Sequence, residues 1–233
     1  MPIFLQKVAW IVFSIIYYPF LHLEIRGKEN LKNLKGPVIL APNHTGEMDV
    51  TVVPLILPFI SSFYPVYFLT NQKEKYKQSK FGWRGYIYGG LFFDVLGGSP
   101  VYSGYKDYAT ALENHVSLLK EGKTISIFPE GKITVDGNVG NARGGLGYLV
   151  HTTGATVVPI AINSFYRMTF KDFIMRKRKI VLTVCKPMTK NEIITVENPV
   201  VEDFRAASKK VLDKIDLAIH SPLTKEAKAV NFA

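Results

Sequence analysis

The sequence predicts an α/β domain built on a mainly parallel sheet, and three observations carry that prediction. Short, β-branched apolar runs recur at residues 38–41, 66–69, 124–128, 156–162 and 180–185, with the length and composition of buried strands. Residues 107–120 place Ala111, Leu112, Leu118 and Leu119 near helical spacing, and a strand follows at once. That βα alternation is the signature of parallel pairing. The chain has 233 residues, 47% of them hydrophobic, with no internal repeat and no second domain, so one full core is expected.

Taken in order, residues 1–21 form an apolar N-terminal helix whose one formal charge is Lys7, with Trp10, Tyr17 and Tyr18 along it. The apolar run 8–18 is short for a spanning helix, which needs about 20 residues. A helix lying in the membrane interface is the reading, and a helix packed on the domain is the alternative. Residues 22–220 form the folded domain. Residues 22–26 alternate as a strand, and 28–35 connect it to the strand 38–41. A helix begins near Val50, with Pro54 in its first turns and Pro58 limiting it. Residues 71–80 are basic, through Lys73, Lys75, Lys77 and Lys80. They read as a solvated face, or as a phosphate or membrane contact. Residues 83–96 read as a glycine-interrupted helix. The helix over 107–120 stops at Gly122 and carries His115 on its surface. A short helix follows at 146–151. Arg176, Lys177, Arg178 and Lys179 read as the exposed start of the strand 180–185, with contact to an anionic membrane as the alternative. Pro199 opens a last helix with Phe204, Ala207, Val211, Ile215 and Ile219 on one face. Residues 221–233 form a frayed tail.

Charge and cysteine content bound the partners. The net charge of +10 implies an acidic partner: an anionic membrane surface, a phosphate-bearing substrate, an acidic carrier protein or nucleic acid. No zinc-finger spacing or basic recognition helix stands out, so nucleic acid is set aside. The one cysteine, Cys185, forbids an internal disulfide and fits a reducing compartment. It lies in a strand and reads as a packed, inert thiol.

Chemistry concentrates after the strand 38–41. Pro42-Asn43-His44-Thr45-Gly46-Glu47-Met48-Asp49 sets an imidazole and two carboxylates between two apolar runs. A carboxylate that accepts from one ring nitrogen frees the other to take a proton. With residues 44–49 all helical, five steps of about 100° would separate the two side chains by roughly 140°. With His44 on the turn and Asp49 in the first helical turn, they meet. The plainer reading is a helix N-terminus capped by Thr45, with Asp49 favouring the dipole and His44 incidental. A second cluster closes the strand 124–128: Pro129-Glu130-Gly131-Lys132, where Pro129 stops the ladder and Gly131 lets a ligand approach the backbone.

Asn43-His44 with Asp49 five residues after the histidine, then Phe128-Pro129-Glu130-Gly131 roughly 80 residues on, resembles the glycerolipid acyltransferases, whose best-known members acylate lysophosphatidic acid. Phe81-Gly82-Trp83 through Gly97-Gly98-Ser99-Pro100-Val101 resembles the family's second block, and residues 157–162 its fourth. The resemblance implies a single glycerol-phosphate-acyltransferase-like domain, a mixed, mostly parallel sheet flanked by helices. It implies transfer of a fatty acyl chain from an acyl-CoA or acyl-carrier-protein thioester to a lysolipid hydroxyl, most directly that of 1-acylglycerol-3-phosphate. No cofactor or metal is implied. His44 would be the general base and Asp49 its support. Glu130 and Gly131 would hold the acceptor, with Lys132 and Arg143 as replacement phosphate ligands and Pro159 near the donor. The enzyme would be peripheral or monotopic on the cytoplasmic face of a membrane.

Two departures bear on the acceptor. Ser103 and Ile133 stand where lysophosphatidate acylators carry arginine, and neither can grip phosphate bidentately. An acceptor without phosphate, or another lysolipid, is therefore an open alternative. A non-catalytic protein that binds membrane lipids would explain the charge and the apolar N-terminus, but not the ordered motifs. A metal-dependent hydrolase would use the same three side chains, but the cluster lacks a second histidine.

Overall fold

The computed structural model describes residues 2–70, 96–101 and 107–220. The basic run 71–80, the helix expected over 83–96, the Phe81-Gly82-Trp83 segment, Ser103 and the tail 221–233 lie outside the described residues.

Among the described residues seven strands form one sheet. In chain order they are β1 (Glu24–Arg26), β2 (Val38–Pro42), β3 (Val66–Thr70), β4 (Gly98–Pro100), β5 (Thr124–Ser126), β6 (Thr156–Ile162) and β7 (Val181–Val184). Their spatial order is β1-β7-β6-β2-β5-β3-β4. Every pairing is parallel except β6 with β7. The sheet is thus mixed and mostly parallel, with β2 near its middle between β5 and β6. β2 is buried along its whole length, as expected for a central strand covered on both faces.

The helices divide between the two faces. They are α1 (Pro2–Phe20), α2 (Asp49–Val52), α3 (Tyr108–Ala111), α4 (Glu113–Lys120), α5 (Gly145–Thr153), α6 (Phe170–Ile174), α7 (Lys190–Ile193) and α8 (Val201–His220). Alternation along β2 sends Ile39 and Ala41 into one core with Leu119, Leu149, Val211 and Ile215, beneath α4, α5 and α8. Val38 and Leu40 enter the opposite core with Val52, Leu55, Ile56 and Tyr17, beneath α1 and α2. The expected inward stripe of α8 (Phe204, Ala207, Val211, Ile215 and Ile219) is buried throughout.

Several local expectations are corrected. The helix expected over 107–120 is two helices, broken where Leu112 adopts φ −119° and ψ 13°. Asp107 caps the first by accepting from the Ala109 and Thr110 amides. His115 is not a surface residue but fully buried. Its Nε2–H donates to the Ser99 carbonyl of β4 at 3.2 Å, and burial pulls its pKa down to about 4. The helix expected from Val50 continues as a 3₁₀ turn, Val53–Ile56, with Pro54 at its start.

The N-terminal helix runs Pro2–Phe20, longer than its purely apolar stretch, and is long and apolar enough to cross a membrane. Its polar groups face inward. Buried Gln6 donates Nε2–H to the Val66 and Leu96 carbonyls, each at 2.7 Å, and accepts the Val66 amide at 2.9 Å. Trp10 donates to the Leu57 carbonyl, and Tyr17 shares a 2.7 Å hydrogen bond with the Thr51 hydroxyl. Phe4 (68% exposed) and Ile15 (69%) point outward with Ile3, Val8, Ile11 and Val12. A helix in water shows the opposite polarity.

Candidate functional site

The parallel strands β2, β5 and β6 present their C-terminal ends on one edge of the sheet, where open α/β sheets bind ligands. The segment after β2 turns there into α2. Asn43 ends the strand by acting as an extra peptide: its Nδ2–H donates to the Ile162 carbonyl at 3.0 Å, and its Oδ1 accepts the Ile162 amide at 2.7 Å. This fastens the turn to the end of β6. Gly46 is required at its position, since a Cβ there would come within 2.9 Å of Phe165 Cβ.

His44 and Asp49 meet as the spacing allows, one on the turn and one at the start of α2. His44 Nδ1 lies 2.9 Å from Asp49 Oδ2. The Asp49 side chain is 0% exposed and that of His44 is 15% exposed. Asp49 also accepts from the Thr45 amide, the Thr45 hydroxyl at 3.0 Å and the Gly46 amide at 2.8 Å. These donors hold the carboxylate in one orientation without solvent. Thr45 is not the helix cap: the cap position is Met48, which offers no side-chain bond. The Thr45 hydroxyl donates instead to Asp49 and accepts the Phe165 amide at 2.9 Å.

The imidazole stacks on Phe128, ring centroids 3.9 Å apart and planes inclined by 15°. Among the described residues Nε2 makes no hydrogen bond. With Nδ1–H donated to Asp49, Nε2 is the ring nitrogen that carries the lone pair, the tautomer a general base needs.

Glu130 is brought to the same place, with an unexpected aim. It is 2% exposed. Its Oε2 accepts the His44 backbone N–H at 3.1 Å and its Oε1 the Gly140 N–H at 3.2 Å. Burial pushes its pKa up, and the two amides pull against that shift. The His44 carbonyl accepts from the Thr134 amide at 2.9 Å. The loop after β5 thus holds His44 by both of its backbone polar groups.

The remaining expected residues fall in two places. Gly131 is exposed with φ +66°, and a Cβ there would lie 3.1 Å from Arg143 Cγ. The Arg143 stem therefore lies across the Glu130–Gly131 turn, and its amide donates to the Pro129 carbonyl at 2.7 Å. Arg143 and Lys132 are both exposed, and neither forms an ion pair with another described residue. Pro159 does not line an open surface. It is buried within β6 opposite Ala41, and its carbonyl accepts the Cys185 amide. The Cys185 thiol is buried and its pKa is pushed up to about 11. Among the described residues no three His, Cys, Asp or Glu side chains gather as a metal-binding set.

Sequence reasoning missed Phe128 as the platform for the imidazole, Asn43 as the strand-end clamp, and Gly140 and Thr134 as anchors. Asn43 had a signal: an amide directly after a buried strand is suited to mimic the next peptide. An apolar cavity also went unforeseen. It lies between α1 and the α2 region, lined by Trp10, Phe13, Val50, Pro54, Leu55 and Phe68. Val50, the residue after Asp49, forms part of its lining.

Comparison with known proteins places these features in context. A family model described as Acyltransferase matches residues 22–163. The chloroplastic 1-acyl-sn-glycerol-3-phosphate acyltransferase LPAT1 of Arabidopsis thaliana is 28% identical over 151 residues, 64% of this chain and 38% of that protein. The chloroplastic 1-acyl-sn-glycerol-3-phosphate acyltransferase BAT2 of Brassica napus is 28% identical over 151 residues, 64% of this chain and 39% of that protein. The match thus spans well under half the length of these curated relatives. The crystal structure of the 1-acyl-sn-glycerophosphate (LPA) acyltransferase PlsC from Thermotoga maritima has the same fold. Its TM-score is 0.58 at 19% identity, covering 98% of this chain and 78% of that one.

Proposed function

This chain belongs to the acyltransferase family, and on that premise we propose that it is a glycerolipid O-acyltransferase using His44 as its general base. The donor is an acyl-CoA or acyl-carrier-protein thioester, and the acceptor is the free hydroxyl of 1-acylglycerol-3-phosphate. The observation that carries the reading is the 2.9 Å contact between His44 Nδ1 and fully buried Asp49, with Nε2 unpaired among the described residues.

The chemistry follows from that arrangement. Nε2 takes the proton of the acceptor hydroxyl as its oxygen attacks the thioester carbonyl carbon. Asp49 stabilises the imidazolium that forms. That attack forms the C–O bond and leaves an oxyanion on the tetrahedral carbon; the intermediate then collapses as the carbonyl re-forms and the C–S bond breaks, and the imidazolium returns its proton to the departing thiolate. No acyl-enzyme is required. A positioned base of this kind contributes about 10² to 10⁴ in rate. The outward apolar face of α1 suits a membrane interface. Lipid substrates would then reach the site from the bilayer.

In this reading Glu130 positions the base rather than the acceptor, because both its oxygens are committed to backbone amides. Arg143, laid over Gly131, is the cation placed to meet a phosphate. Ile133 and Ser103 at the positions expected for arginine favour a second reading, in which the acceptor carries no phosphate.

Thiol release from acyl-CoA, measured with lysophosphatidate and with a monoacylglycerol, tests both. His44→Ala should abolish release by a folded protein. A folded His44→Ala variant that keeps most of its turnover refutes the mechanism. Faster release with the neutral acceptor than with lysophosphatidate selects the second reading.

A further inference from the structure

We propose that α6 and the basic residues after it form a second seat on an anionic lipid surface, beside the outward face of α1. The proposal extends the reading of α1 as a membrane-interface helix to a separate part of the chain. α6 has no buried residue. Phe170 is 78% exposed, and Ile174 and Met175 are exposed as well. Single exposed apolar residues are ordinary, but two on one short helix and a third directly after it call for a partner.

The patch is continuous with α1. Phe170 stacks toward Phe173, centroids 6.4 Å apart, and Phe173 stacks on Phe20 at the end of α1, centroids 5.3 Å apart. The Arg176 guanidinium covers the Phe20 ring at 5.1 Å. An aromatic row therefore runs from the membrane-facing helix to the tip of α6. Aromatic side chains of this kind settle at headgroup depth.

Charge selects an anionic lipid. Residues 167–179 contain six cations, Arg167, Lys171, Arg176, Lys177, Arg178 and Lys179, against one acid, Asp172. Lys179 is paired with Glu24. Asp172 is occupied at the start of α6, where it accepts the Thr169 hydroxyl at 2.7 Å and the Thr169 amide at 3.0 Å. Lys171, Arg176 and Lys177 are exposed. Cations flanking exposed apolar side chains fit a leaflet of anionic headgroups, where charge and apolar burial act together. An acidic protein would match the cations but leave Phe170 and Ile174 without an apolar counterpart.

The test is co-sedimentation of the full chain with vesicles of phosphatidylcholine alone and of equal parts phosphatidylcholine and phosphatidylglycerol. The double variant Lys171→Gln/Lys177→Gln leaves Arg176 on Phe20 and touches nothing in the proposed catalytic site. Its affinity for anionic vesicles should fall roughly twenty-five-fold at low salt, about fivefold per cation, with no change on neutral ones. Phe170→Ser/Ile174→Ser should weaken binding to both by on the order of tenfold. Unchanged thermal transitions would confirm that both variants fold. Unchanged partition of both folded variants overturns the proposal. So does a loss seen only in turnover with an acyl-carrier-protein donor, which would make an acidic protein the partner. Partition does not read turnover, so failure of the acyltransferase reading would not mimic failure here. A Phe4→Ser/Ile15→Ser variant tests α1 separately: loss in the α6 variants alone would support this seat and remove α1 from the contact.

Discussion

Replacing Glu130 by glutamine separates two roles that the motif alone does not distinguish. The carboxylate is 2% exposed, and its two oxygens accept the His44 and Gly140 amides at 3.1 and 3.2 Å. A glutamine of the same shape can satisfy only one of them. Whichever way its amide turns, the NH₂ group meets a backbone N–H. Losing one hydrogen bond to a charged group costs about 1.5 to 3 kcal/mol. Removing a buried charge returns part of its desolvation cost, so a net penalty of about 2 kcal/mol is expected. If the His44 turn bears it, kcat falls about thirtyfold, at about 1.4 kcal/mol per decade. The acceptor KM should stay near its original value, because nothing that touches the acceptor has changed. The assay is thiol release at saturating acyl-CoA over an acceptor titration. A Glu130→Gln enzyme with normal kcat and a raised acceptor KM would refute this reasoning and put Glu130 on the substrate.

Three further outcomes are expected. Arg143→Ala should raise KM for lysophosphatidate by roughly tenfold to a hundredfold while sparing a monoacylglycerol, since only the phosphate needs the cation; equal effects on both would remove Arg143 as its ligand. Gln6→Leu should lower stability by about 3 kcal/mol in chemical denaturation, because it strands the buried Val66 amide and takes a donor from two carbonyls; a change under 1 kcal/mol would show water replacing the side chain. His115 has a folded pKa of about 4, below its ordinary 6.5, so the unfolded chain binds the proton first. Stability is full above pH 6.5 and falls by about 3 kcal/mol as pH drops toward 4. His115→Gln, which keeps a donor for Ser99, should flatten that slope in pH-dependent melts.

The sequence was most legible where local chemistry decides structure. β2 and β6 are β-branched apolar runs in a sheet covered on both faces, so composition alone located them. The His44–Asp49 contact was legible because five residues fit a turn entering a helix and do not fit a continuous helix. β4 was not legible: Gly98, Ser99 and Pro100 are poor strand formers, and among the described strands they pair with β3 alone. The aim of Glu130 was hidden for a related reason. Its partners are backbone groups of His44 and Gly140, and backbone groups leave no mark in the residue pattern. His115 was misplaced because helical spacing identifies a face but not what covers it, and here β4 covers it. Gln6 drew no reading from the sequence, because its partners are the Val66 backbone and the Leu96 carbonyl.

The Asn43 clamp has a consequence for how this protein is made. The turn that carries His44 is secured by residues 119 positions later in the chain, through Asn43 and Ile162, and by Glu130, 86 positions away. Contacts this distant carry a loop-closure cost and form late. A nascent chain that has emerged only as far as β5 has its histidine but neither the β6 end nor the Phe165 amide that orients Thr45. In the proposed mechanism the geometry of His44 belongs to the finished sheet, and the onset of activity during refolding should coincide with the docking of β6.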